Sequence, residues 1–130
     1  MLHPNQFSVN EAWIAFKLND APIHTELDGD FNCMALMDAA SCFILTVEMI
    51  PVTDLEPSKL VVRRMLKKSH AHKQEFPQRL FIPNQHAADN LVVEAKRRNI
   101  EVTRVPEEQL LLFIGEAREG FKERFGGGEA

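Results

Sequence analysis

The feature that most limits the fold of this chain is a change of hydrophobic period at Ser58. Before it, apolar residues come in short continuous or alternating stretches, over 13–18, 31–37 and 42–52. After it, Val61, Val62, Met65 and Leu66 recur on one side of a helix, with Lys59, Arg63, Arg64, Lys67 and Lys68 on the other. A chain that opens with strands and closes with alternating helices and strands is expected to form an α/β layer structure. Its mixed sheet is an antiparallel three-strand meander followed by βαβ units, with helices on its faces.

The element boundaries follow from local signals. Ser8 and Glu11 have the spacing of a capping box ahead of Ala12, Trp13, Ile14 and Phe16, so the stretch reads as a short helix to Leu18 or as a strand over 13–18. Asp28, Gly29 and Asp30 form a turn between strands over 22–27 and 31–37, and residues 38–41 lead to a third strand over 42–52. Pro57 and Ser58 start the first helix, which ends before Pro77, and residues 79–82 form a short buried strand. Pro83 and Asn84 open a second helix, with Asn84 as N-cap, Ala87, Ala88, Leu91, Val92 and Ala95 inward, and Lys96, Arg97 and Arg98 over the last turn. Asn99 reads as a left-handed exit, and residues 100–105 as a strand. Pro106, Glu107 and Glu108 begin a last helix that packs through Leu110, Leu111, Phe113, Ile114, Ala117 and Phe121.

At 130 residues the expectation is one domain over 1–125 and a mobile tail over 126–130. A hairpin turning at 38–41 puts Cys33 near Val47 and Cys42 near Met37, so both are expected as free thiols in a reducing compartment. Residues 1–6 lack the cationic and apolar regions of a signal peptide, and no apolar run approaches the roughly 18 residues of a membrane span. The expectation is a cytoplasmic protein with no membrane partner. The net charge of −4 removes the simplest basis for binding a polyanion, an overall basic surface. The distribution is uneven: residues 1–56 hold one base, Lys17, against nine acids, whereas residues 57–104 hold eleven bases against four acids.

Residues 34–49, MALMDAASCFILTVEM, look like the first hairpin of retroviral-type integrases and insertion-sequence transposases, with Asp38 where a catalytic Asp ends the first strand. Residues 77–105 resemble the segment of those enzymes in which a strand ends at the second catalytic Asp, but here the strand ends Phe81, Ile82, Pro83, Asn84 with no carboxylate. A third acid would come from the last helix, where Glu116 is a candidate by position. The resemblance covers residues 31–118 and implies a ribonuclease H-like fold. The chain is also similar to bacterial domains of unknown function that keep this scaffold without its active site. The missing acid bears on chemistry, because such enzymes use two metal ions bridged by carboxylates from separate elements. The expected function is therefore a non-catalytic binding or assembly domain with no cofactor, acting with a protein partner or a second copy. The enzyme alternative is a Mg²⁺-dependent nuclease or transposase using Asp38, Glu116 or Glu48.

A third reading is nucleic-acid binding through Lys59, Arg63, Arg64, Lys67 and Lys68, since such a stripe can neutralise successive phosphates. The plainer use of these cations is solvation or pairing with the acidic N-terminal segment. No aromatic residue interleaves the stripe, and the chain has no Tyr, which argues against stacking on single-stranded bases. His70 and His72 would chelate a metal on a strand but diverge on a helix, among Lys67, Lys68 and Lys73. Asp38 itself has a plainer role, accepting turn amides at a hairpin end. No glycine lies where a strand end would cradle a nucleotide phosphate, and no glycine-flanked elbow surrounds Ser41 or Cys42. Phe113, Phe121 and Phe125 read as core or subunit contacts rather than a ligand box.

Overall fold

Strand β1, Ala12–Lys17, lies at the centre of the sheet, with an antiparallel neighbour on one side and a parallel one on the other. In the computed structural model, which describes residues 1–126, the chain continues through β2 (Ile23–Thr25), β3 (Gly29–Asp38), β4 (Ile44–Pro51), α1 (Lys59–His70), β5 (Arg79–Pro83), α2 (Asp89–Arg97), β6 (Glu101–Val105) and α3 (Leu111–Phe121). Residues 127–130 of the expected tail lie outside the described residues, and Gly126 closes a π-helical turn, Lys122–Gly126. Across the sheet the order is β4, β3, β1, β5, β6; β2 lies beside the first residues of β3, on the same side as β1.

The antiparallel meander is therefore β1, β3 and β4 rather than three strands after Pro22, and β2 is a stub of three residues. Glu11 does accept a hydrogen bond from the Ser8 amide, at 2.9 Å, as a capping box requires, yet no helix follows. Trp13, Ile14, Ala15 and Phe16 are completely buried, and a strand paired on both edges achieves this by sending alternate side chains to opposite faces. Trp13 and Ala15 join Met34, Leu36, Leu80 and Ile82 under α1 and α2; Ile14 and Phe16 join Cys33, Ala35, Met37 and Phe81 under α3. Each large side chain so buried contributes about 1.5–3 kcal/mol relative to exposure.

Helix α1 begins as its sequence indicates, with the Ser58 hydroxyl accepting from the Val61 amide and Val62, Met65 and Leu66 buried. Helix α2 starts later than Asn84. Its first amides, at Asp89 and Asn90, are held by the Glu56 carboxylate at 2.6 and 3.1 Å, so the cap comes from a distant loop and Ala87 is left exposed. Asn99 is left-handed, at φ 61°, as expected. Residues Glu107–Leu110 form a 3-10 turn, so Leu111 is rotated out to the surface while Leu110, Phe113 and Ile114 are buried. The side chain of Phe125 lies outside the described residues.

Met37 faces Ile44 because the connection after Asp38 is longer than a tight hairpin turn, and a bulge between Leu36 and Met37 shifts the register again, so that Cys33 faces Met49; each pairing is two residues away from the simple hairpin expectation. Both cysteines are free thiols. Burial raises the pKa of each, and the charges of Glu116 and Asp38 add to the rise at Cys42.

Candidate functional site

Strands β1 and β5 run parallel, with Ala12 beside Arg79 and Ile14 beside Phe81, so their carboxyl ends lie together at Lys17 and Pro83. This is where an open α/β sheet reverses its strand order, and ligands in such sheets bind outside the carboxyl ends at that point. Asp38 lies elsewhere. It pairs with Trp13, whose other neighbour is Leu80, and so occupies the amino end of β1. Three residues of strand, about 10 Å at 3.3 Å each, separate that level from Pro83. The two corners that the sequence resemblance assigns to one site are thus at opposite ends of the sheet, too far apart to bridge ions that sit about 3.5–4 Å from each other. The hairpin that carries Asp38 joins β3 to β4, while the strand in the parallel half of the sheet is β1.

The Asp38 carboxylate is 3% exposed and fully engaged. One oxygen accepts the Asn10 amide at 2.7 Å; the other accepts the Ser41 amide at 2.9 Å and the Ser41 hydroxyl at 2.6 Å. Asn10 in turn accepts the Trp13 indole N–H at 2.8 Å and donates to the Glu75 carbonyl at 2.9 Å. Asp38 thereby ties the N-terminal turn to the hairpin. Beside it lies a groove of about 390 Å³ lined by Val9, Phe43, Leu45, His72 and Lys73.

The carboxyl end of the parallel strands carries cations. Arg104 donates to the carbonyls of Pro83 and His86 at 3.0 and 2.6 Å, and Arg118 donates to the Lys17 carbonyl at 3.0 Å while pairing with Glu107. Burial lowers the pKa of His86; Glu107 works against the shift and Lys17, Arg118 and Arg104 reinforce it. Neither β1 nor the Ile82, Pro83, Asn84 step offers a carboxylate. Glu116 is exposed on α3 and acts electrostatically on Cys42. Among the described residues no three His, Cys, Asp or Glu side chains converge as a metal-binding group. His70 and His72 diverge: His70 lies against Phe76, and His72 donates from Nε2 to the Leu45 carbonyl at 2.9 Å.

The basic helix is largely paired within the molecule. Arg64 donates to both oxygens of Glu48 at 2.8 and 2.9 Å, and Lys68 lies 3.5 Å from the same carboxylate. Arg63 reaches Glu94 on α2 at 3.2 Å, where Arg97 and Arg98 also converge. Hydrogen bonds from Arg63 and Arg98 hold the Glu94 pKa down at about 2, although its side chain is only 2% exposed. Lys59 and Lys67 form no ion pair among the described residues. The Glu94–Arg98 spacing was readable as a helical i, i+4 pair, but the links from Arg63 to Glu94 and from Arg64 to Glu48 join separate elements and leave no local signal.

No family model and no curated protein matches the chain. Among solved structures it is similar to a chain of the simian T-cell lymphotropic virus intasome in complex with the PP2A regulatory subunit B56 gamma, at 13% identity and a TM-score of 0.59. That match covers 88% of this chain and 39% of the other, so the present chain spans about two fifths of that protein. It is also similar to the HTLV-2 integrase catalytic core domain in complex with magnesium, at 11% identity and a TM-score of 0.54, covering 95% of this chain and 70% of that one. The fold is ribonuclease H-like.

Two outcomes follow from the site. Asp38→Ala removes the buried acceptor of the half-buried Asn10 amide and of the Ser41 amide and hydroxyl and is expected to cost about 1–3 kcal/mol in urea unfolding, with Asp38→Asn in between; no measurable cost would contradict the clamp. Glu94, depressed to about 2 when folded, contributes stability that is present above its unfolded pKa near 4.5 and lost as pH falls toward 2. Glu94→Gln should flatten the acid limb of the stability profile over that window, and an unchanged slope would show that the cluster contributes nothing.

Proposed function

We propose that this ribonuclease H-like chain is a binding or assembly domain that performs no two-metal phosphodiester chemistry. The observation that carries the reading is the composition of the switch point: the carboxyl ends of β1 and β5 present Lys17, Pro83 and Asn84, with Arg104 and Arg118 beside them. Two divalent cations need several carboxylates to offset their charge, and here Lys17, Arg104 and Arg118 outnumber the single carboxylate of Glu107, which Arg118 already pairs. Asp38 does not replace the missing acids, because its oxygens hold the Asn10 and Ser41 donors at the other end of the sheet.

Nucleic-acid binding through α1 has less support than protein binding, since Arg63, Arg64 and Lys68 are committed to Glu94 and Glu48 and only Lys59 and Lys67 remain unpaired on that stripe. The intasome chain named above is reported together with a protein subunit, in keeping with a scaffold of this kind taking protein partners.

The test is incubation of the purified chain with single- and double-stranded DNA and RNA in Mg²⁺ or Mn²⁺. No cleavage above a no-metal control is expected. Cleavage that requires the cation and disappears in Asp38→Asn or Glu116→Gln would overturn the proposal.

A further inference from the structure

We propose that the free edge of β4 takes up an extended peptide strand whose residues alternate between apolar and acidic, a reading that rests on the binding role above and names the partner. The edge is open in a defined way. The Val52 amide donates to the Asp30 carbonyl, the Asp38 amide to the Phe43 carbonyl, and the Leu18 amide to the Cys33 carbonyl. Hydrogen-bonded pairs alternate along an antiparallel ladder, so the even residues of β3 bond β4 and its odd residues bond β1. On β4 the even residues therefore face β3, and the amides and carbonyls of Val47 and Met49 face outward. Among the described residues β4 pairs with β3 alone, so these four backbone groups have no strand beside them.

Both ends of this window are closed. At one end His72 occupies the Leu45 carbonyl, and at the other Pro51 has no amide to give. The opening thus fits a short strand centred on Glu48, not a long one. The opposite edge, β6, is guarded by charged Glu101 and Arg104, whereas Val47 and Met49 are 42% and 49% exposed and carry no charge.

The two faces next to that edge differ in chemistry. Val47 and Met49 pair with Ala35 and Cys33 and lie on the α3 side of the sheet, so an added strand would lay every second side chain against an apolar strip. On the other side α1 overhangs Glu48 with Arg64 and Lys68, two cations against a single carboxylate, and unpaired Lys67 stands next to them in sequence. Side chains of the added strand pointing that way meet excess positive charge. Apolar residues on one face and Glu or Asp on the other satisfy both. A second copy of this chain pairing through β4 would instead bring two such cationic ridges together, and nucleic acid would ignore the backbone edge.

The test uses a fluorescein-labelled short peptide alternating valine and glutamate, read by fluorescence polarisation and by amide hydrogen exchange of the intact chain. Saturable binding is expected, with Val47 and Met49 amides becoming protected. Affinity should fall about tenfold or more when the peptide is N-methylated along its bonding edge or the chain carries Met49→Pro, which removes an outward amide and spares the β3 ladder. Lys67→Glu should weaken binding without touching any fold contact, and a valine–lysine peptide should not bind. Absence of saturable binding, equal binding of the N-methylated or lysine peptide, or Val47 and Met49 already protected in a dimer of the free chain would each overturn the proposal. A DNA fragment that binds with an affinity insensitive to Met49→Pro while the glutamate peptide fails would overturn it in favour of the helix. The two readings fail separately: metal-dependent cleavage would sink the non-catalytic role, and loss of the peptide interaction would sink this one.

Discussion

Everything in this molecule is arranged around a strand that has no solvent on any side. Residues Ala12 to Phe16 are paired along both edges and covered on both faces, and none is more than 1% exposed. A carboxylate at an interior position of that strand would be buried without a partner, which costs several kcal/mol unless it is neutralised or bound to a cation. The strand is instead filled with Ala, Trp, Ile, Ala and Phe, and the sheet gains its cohesion from this uncharged centre. Only where β1 emerges does charge appear, and it is the cation Lys17.

Four carboxylates, of which Asp38 and Glu94 are buried and Glu48 and Glu56 half-buried, join separate elements. Asp38 ties the N-terminal turn to the β3–β4 hairpin, Glu56 caps α2 from the loop before α1, Glu94 gathers three arginines between α1 and α2, and Glu48 fixes α1 over β4. The acidic first part of the chain meets the charge of the basic middle at Glu48, with Arg64 and Lys68, whereas Arg63, Arg97 and Arg98 are paired by Glu94 within the middle itself. A surplus of cations remains along the β4 side of α1 and around the carboxyl ends of β1 and β5.

Much of the fold was legible because its signals are local. The period change at Ser58, the Ser58 cap, the β5 and β6 runs and the left-handed Asn99 each depend on a few neighbouring residues, and each stands in the structure. What was not legible depends on distant pairing. The Ser8–Glu11 bond forms, but two partner strands, one 17–25 residues away and one more than sixty, turn the following stretch into a strand instead of a helix. The position of Asp38 relative to Pro83 was invisible for the same reason, since it depends on which strand lies between them. The α2 start was misplaced because its cap, Glu56, is supplied from another part of the chain.

At the switch point of this sheet Lys17, Arg104 and Arg118 stand where a two-metal site would need carboxylates. The most direct measurement is Mn²⁺ titration of the isotopically labelled chain, following paramagnetic broadening of backbone amides. No localised broadening over residues 16–19 and 82–86 is expected at concentrations where a carboxylate-rich site would be saturated. Selective, saturable loss of those signals, reversed by Mg²⁺, would contradict it.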